Sequence, residues 1–283
     1  MILIADSGST KTDWAMVNQD GTFSCICTEG INPVHSGPSR MKEVLQAGLL
    51  PHLQQDVIDA VWFYGAGCVG PVRESVAGML RDALGHILSS DGEVHVESDM
   101  MAAARALCGH NPGIACILGT GANSCFYDGQ QLAANTPPLG FILGDEGSGA
   151  YLGRQFLNGI FKGWLPQPLR DNFLQSSGLS YAEILRRVYQ EPRASKFLAS
   201  LVPFVAENLV VWPCLHKMVS DAFDTFLLRN VAPYGHRDLP VSFVGGVAWQ
   251  FRDILADAVT RGDWAFGTVI QKPLDRLVMF HAG

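Results

Sequence analysis

Two short glycine-rich stretches carry the side chains and backbone needed to handle phosphate. Asp6-Ser7-Gly8-Ser9-Thr10-Lys11-Thr12 follows the apolar run Ile2–Ala5, and Gly119-Thr120-Gly121-Ala122-Asn123 follows Ile114–Leu118 as a shortened echo. Glycine lets the backbone approach an anion and take positive φ, while successive N–H groups and hydroxyls form a concave nest for phosphate. Asp6, ending a buried run, could hold Mg2+ directly or through water, and Lys11 could reach a phosphate. A solvated polar hairpin is the plain alternative for either turn alone. Two matched turns at the starts of similar β-meanders argue instead for duplicated units that grip two ends of a polyphosphate.

Further candidates lie at junctions between elements. Asp99, in Glu97-Ser98-Asp99-Met100, stands where a strand becomes a helix. It can act there as the helix N-cap, for which Asp is favoured, or as a general base taking a proton from an attacking hydroxyl. Gly144-Asp145-Glu146-Gly147 sets two acids between glycines; adjacent loop acids are usually solvated, yet the glycines imply a close approach. Gly245 and Gly246 make a bend without side chains against which a flat adenine could lie, although a plain βα turn also favours glycine. Residues Gly65 to Gly70 match a dinucleotide fingerprint, but Pro71 follows at once and the acid which that motif needs is poorly placed. They read as a loop lining the cleft.

The elements that must position these residues alternate in order. Strands are expected at Ile2–Asp6, Thr12–Val17 and Thr22–Thr28, a helix over Arg40–Leu50, a strand at Ala60–Tyr64, a helix over Val72–Leu84, the strand Glu93–Glu97 and the helix Met100–Leu107. The opening then repeats: strands Ile114–Leu118 and Ser124–Asp128 flank the second turn, with a third strand near Phe141–Leu143. Hairpin dipeptides, Asp20-Gly21 and Asp128-Gly129, close the second strand of each half. Helices follow at Ala150–Phe161, Tyr181–Tyr189, Lys196–Leu209 and Leu215–Val231. The chain then runs through strand Pro240–Val244, helix Arg252–Thr260, strand Thr268–Gln271 and helix Pro273–His281. The turn Cys108–Pro112 divides the chain into residues 1–108 and 109–283.

Composition bounds the function. The 283 residues allow two lobes with separate cores, and 48% hydrophobic against 17% charged residues marks a globular chain. A net charge of −7 without a basic cluster argues against a nucleic-acid surface. No apolar run reaches the roughly 18 residues that a membrane span needs, and the start lacks a charged leader region, so no membrane attachment is expected. Seven cysteines without a CxxC pair fit reduced thiols in a cytoplasmic protein, and the eight histidines lack metal-ligand spacing.

Together the motifs resemble the actin-like ATPase superfamily, and within it the BadF/BadG/BcrA/BcrD-type ATPase and N-acetylglucosamine kinase family. DSGSTKTDW from Asp6 is similar to the family's first phosphate motif, LGTGANSC from Leu118 to its second, and FVGGVAW from Phe243 to its adenosine motif, in the same order over most of the chain. The resemblance implies an α/β protein of two ribonuclease H-like lobes with a nucleotide cleft between them, the last helix folding back onto the first lobe. It implies ATP and Mg2+ as cofactors. Asp6, Gly8, Ser9, Thr10, Lys11, Thr12, Gly119, Thr120, Gly121, Gly245 and Gly246 would surround the nucleotide, with Asp6 serving the metal and Asp99 acting as catalytic base.

Asn32, Asn123 and Asp145 match the family's sugar contacts. The activity implied is phosphorylation of an N-acetylated amino sugar, foremost N-acetylglucosamine, at its primary hydroxyl. Pro137-Pro138-Leu139-Gly140 departs from the Gly-Gly-Trp-Gly of vertebrate-type enzymes, so the pocket there differs. The family also holds activators of radical dehydratases whose dimers bind an iron–sulfur cluster, a reading that the cysteine spacing here argues against. A sensor that binds ATP or sugar without turnover is the other alternative. The expected partner is a small sugar, and the helical second lobe offers a face for a homodimer.

Overall fold

The computed structural model describes every residue except 9, 10, 32, 34–36, 54–56 and 283, and the Pro38 side chain. Met1–His110 with Lys272–Gly283 forms one compact unit and Asn111–Gln271 the other, so the second unit ends at Gln271 and not at the chain's end.

In the first unit, β1 (Ile2–Ser7), β2 (Lys11–Val17), β3 (Phe23–Glu29), β4 (Ile58–Gly65) and β5 (Leu88–Ser98) form a sheet of order β3-β2-β1-β4-β5. The first three are an antiparallel meander, whereas β4 and β5 run parallel to β1. Helices α1 (Pro38–Val44), α2 (Pro71–Leu84) and α3 (Asp99–Cys108) connect or follow them. β1 is central and covered on both faces, which is why Leu3, Ile4 and Ala5 form a continuous apolar run with no exposure. On one face Trp14 and Phe63 pack, ring centroids 6.0 Å apart, with Val76 and Leu80 of α2 in the same core. On the other, the terminal helix Leu274–Ala282 docks through His281. Its Nε2 lies 2.7 Å from the Tyr64 hydroxyl, which also accepts from Arg105 Nη1 at 2.7 Å, and its ring stacks on Trp62 at 4.3 Å.

The second unit repeats the plan. β6 (Gly113–Leu118), β7 (Ala122–Tyr127), β8 (Leu132–Ala134), β9 (Pro240–Val244) and β10 (Ala265–Ile270) take the order β10-β9-β6-β7-β8, with the antiparallel and parallel pairings in the same places. Between β8 and β9 lie α4 (Gly140–Leu143), α5 (Gly149–Lys162), α6 (Gln167–Ser177), α7 (Tyr181–Tyr189), α8 (Ala194–Ala199), α9 (Val202–Glu207) and α10 (Pro213–Phe226). After β9 come α11 (Gly246–Gln250) and α12 (Arg252–Arg261). Phe156, Phe173, Phe223, Phe226 and Phe243 fill this core. Among the described residues no helix is long and apolar enough to cross a membrane.

Three expectations are corrected. The third strand of the second meander is Leu132–Ala134, while Phe141–Leu143 is helical: Leu139 at φ 62° and Gly140 at φ 71° reverse the chain and break an extended pairing there. The run Lys196–Leu209 is two helices because Pro203 has no N–H to bridge the break at Ser200–Leu201. The helix α6 went unforeseen because only Leu169 and Phe173 of it are buried. Pro168 in its first turn and Gly178 at φ 67° beyond its end are its remaining signals.

Gly245 is fixed by both its φ and a close approach. Gly245 sits at φ 126° and a Cβ there would fall 2.4 Å from the Leu118 carbonyl oxygen, so β9 can leave the sheet only as glycine. Gly246 next to it has open space where a Cβ would stand. Gly245→Ala should therefore lower stability by about 2–4 kcal/mol in urea unfolding, against under about 1 kcal/mol for Gly246→Ala. Equal losses would contradict the close approach.

Candidate active site

In the first unit the strand register lines up Cys27, Asp13, Asp6, Tyr64 and Glu97 across the five strands. The turn between β1 and β2 is closed by Gly8 N–H donating to the Lys11 carbonyl at 3.0 Å. Beneath it the Asp6 carboxylate has no hydrogen-bond partner among the described residues. Burial pushes its pKa from 3.8 up to about 7, Asp13 and Asp99 push it further, and Lys11 and Lys272 oppose them. Asp13 behaves in the opposite way. Its burial is outweighed by hydrogen bonds from Lys11 and Cys27 and by both ammonium groups, which hold it below the usual carboxylate range.

Asp99 is not the cap of α3. Ser98 takes that position, its hydroxyl accepting from Met101 N–H at 3.2 Å, and Asp99 occupies the first helical position with Oδ1 accepting from Met100 N–H at 2.9 Å. Burial raises the Asp99 pKa despite that bond. Burial and then the Asp99 charge push the Cys68 thiol up to about 11.

Thr12 supports the turn from below. It is fully buried, its hydroxyl 2.7 Å from that of Ser7, and both hydroxyls accept from Ile31 N–H. The hydroxyl thereby ties down the loop that carries Ile31. Lys11 is likewise engaged, with Nζ 2.5 Å from Asp13 Oδ2. Ser9, Thr10 and Asn32 lie outside the described residues.

In the second unit the carbonyls of Gly119 and Thr120 accept from Gly149 and Ala150 N–H, at 2.8 and 3.0 Å, at the start of α5. This turns the peptides so that the N–H groups of Thr120 and Gly121 are left without a partner among the described residues, a donor pair suited to an anion. Gly245 packs against the base of the same turn. Asp145, in the left-handed region at φ 53°, is pressed onto it, with Oδ1 accepting from Ala122 N–H at 3.2 Å. Burial raises its pKa. Both loop acids are buried, in keeping with the close approach that the glycines imply, and Glu146 pairs with Arg229 at 3.0 Å and Asn230 at 3.3 Å.

Asn123 has its orientation fixed. Its Oδ1 accepts from Ser124 N–H and from Asn135 Nδ2, both at 2.9 Å, so the amide NH2 must point away and is free among the described residues. One free donor and the free Oδ2 of Asp145 therefore flank the turn, a pair able to read neighbouring hydroxyls.

Two sheets of one strand order, each with a glycine turn at its central hairpin, define a two-unit α/β protein of ribonuclease H-like, actin-like ATPase type. No family model and no curated protein matches the chain. Among solved structures it is 44% identical to a proposed N-acetylglucosamine kinase from Porphyromonas gingivalis, with a TM-score of 0.94 over 100% of this chain and 99% of that one. A second proposed N-acetylglucosamine kinase, from Chromobacterium violaceum, is 20% identical with a TM-score of 0.73, covering 99% and 98%. The hexokinase of Schistosoma mansoni, complexed with glucose, is 13% identical with a TM-score of 0.50 over 100% and 85%. These last two share the fold. The chain belongs to the N-acetylglucosamine kinase family of the actin-like ATPase superfamily.

The Asp6 environment sets a pH dependence. Between its ordinary 3.8 and about 7 the folded protein keeps a proton on Asp6 that the unfolded chain has lost. With divalent cations chelated, stability to urea should fall as pH rises through that window, and Asp6→Asn should flatten the fall. An unchanged slope in the variant would show that Asp6 is not held protonated.

Proposed function

We propose that the protein is an ATP-dependent sugar kinase acting on an N-acetylated amino sugar, foremost N-acetylglucosamine, at its primary hydroxyl. The observation that carries this reading is the pair of half-buried carboxylates in the first unit. Asp6 has no partner among the described residues, and Ser98 in place of Asp99 caps α3. The 44% identity to the P. gingivalis protein supports the substrate class.

The residues fit a divalent cation. Asp6 is half-buried with no partner among the described residues and feels two more carboxylates against two ammonium groups, a balance that a hard, oxygen-seeking ion such as Mg2+ suits. Asp6 would hold that ion, directly or through water, and bound there it would neutralise phosphate charge. The glycine turn of each unit takes phosphate oxygens on backbone N–H groups, and the Gly245–Gly246 bend leaves room for the adenosine. Asn32, Asn123 and Asp145 orient the sugar, the last two through their free amide and carboxylate atoms.

The sugar hydroxyl oxygen attacks the γ-phosphorus of ATP. Its proton passes to the Asp99 carboxylate as the bond from phosphorus to the β,γ-bridging oxygen breaks, and ADP leaves with that electron pair. A carboxylate with a raised pKa is the better base at neutral pH. Because phosphoryl transfer needs mainly positioning and charge stabilisation, few groups are required. An unpaired Asp145 or Asn123 after loss of a sugar hydroxyl would penalise poorer substrates.

ADP release should depend on added N-acetylglucosamine. In that assay Asp99→Asn should lower kcat by about 10²–10⁴ with MgATP affinity nearly unchanged. A fully active variant, or ATP hydrolysis indifferent to any sugar, would defeat the proposal.

A further inference from the structure

We infer that Lys272 is a phosphate-binding residue of the first unit's turn, held with Lys11 on a shared carboxylate, Asp13, until an anion takes its place. The inference rests on the kinase reading for the identity of that anion. Both ammonium groups converge on one atom: Nζ of Lys11 lies 2.5 Å and Nζ of Lys272 3.4 Å from Asp13 Oδ2. Asp13 carries one negative charge for two ammonium groups, so it cannot neutralise both.

The arrangement is also layered. The Asp13 side chain is 14% exposed while those of Lys11 and Lys272 are 47% and 59% exposed, so the cluster turns its cations outward. Lys11 is the residue whose carbonyl closes the turn from Gly8, and Asp13 pairs with Asp6 across β1 and β2. Lys272 is brought there by the returning chain, because the helix that follows it packs on β1, β2 and α3. Close by on β1 is the Asp6 carboxylate, the register partner of Asp13, which also feels the Asp99 charge. An anion that arrives with its own divalent cation, a nucleoside polyphosphate, satisfies both signs at once. Its oxygens can replace Asp13 as the lysines' partner, one charge-assisted contact exchanged for another. Asp13 therefore competes with the ligand, and the lysine and the aspartate should have opposite effects.

Calorimetric titration of the full chain with MgATP tests this. Lys272→Ala should weaken binding by about tenfold or more, the worth of one charge-assisted hydrogen bond, while Lys272→Arg stays close to the wild type. Asp13→Asn should bind MgATP at least as tightly as the wild type, and binding of adenosine alone should not change in any variant. Unaltered MgATP binding in Lys272→Ala overturns the inference, as does a parallel loss in both Lys272→Ala and Asp13→Asn, the mark of a purely structural ion pair. A wild type that binds MgATP but phosphorylates no sugar would defeat the kinase reading and leave this one standing; a wild type that binds no MgATP overturns both.

Discussion

A carboxylate that loses water without gaining a hydrogen-bond donor is destabilised, and Asp6, near the end of the central strand of the first unit, has no donor among the described residues. Its surroundings make sense as arrangements that keep it unpaired. Lys11 and Lys272, the cations within reach, are drawn to Asp13 on the next strand. Ser98 takes over the capping of α3, so Asp99 adds negative charge nearby where it would otherwise be tied up. Ser7 and Thr12 turn their hydroxyls to each other and to Ile31. A site prepared in this way is complementary to a cation and to the phosphates that accompany it, with little reorganisation left to do on binding.

The second unit uses the same scaffold for a different task. Its central strand ends in Leu118, apolar where the first ends in Asp6-Ser7, so the turn above it offers N–H groups without a carboxylate at the strand's end. The start of α5 orients that turn through the Gly119 and Thr120 carbonyls, and the strained Asp145 backbone brings a side chain against it. Strain of this kind persists where the surrounding structure over-determines it. Pro138 and Ser148 do so here, the Asp145 N–H donating to the Pro138 carbonyl at 2.9 Å and Ser148 N–H to the Asp145 carbonyl at 3.0 Å. One architecture thus carries charge in one copy and hydrogen-bond geometry in the other.

Much of this was legible in the sequence because the repeated turns are local signals. Gly8 and Gly119 close equivalent hairpins, and Asp20-Gly21 and Asp128-Gly129 end both second strands as expected, with Gly21 at φ 80° and Gly129 at φ 103°. What was not legible depends on partners distant in the chain. The Thr12 hydroxyl's partner, Ile31, lies on another segment and leaves no local signal. The partners of Glu146, Arg229 and Asn230, come from the end of the long helical insert. Asp13 and Lys272 gave no motif at all, although the alternation along Lys11-Thr12-Asp13 places the first and third residues on one face. Ser98 and Asp99 are both favoured cap residues, so the sequence alone leaves open which of them caps α3.

The account turns on Asp6 as the cation's ligand. The most direct measurement is anomalous diffraction from crystals grown with MnATP, manganese standing in for magnesium. The account predicts one strong manganese peak at the end of β1, with Asp6 as a ligand or one water away and phosphate oxygens on its other side. Manganese bound elsewhere, with Asp6 neutral and unliganded in the presence of nucleotide, would contradict it.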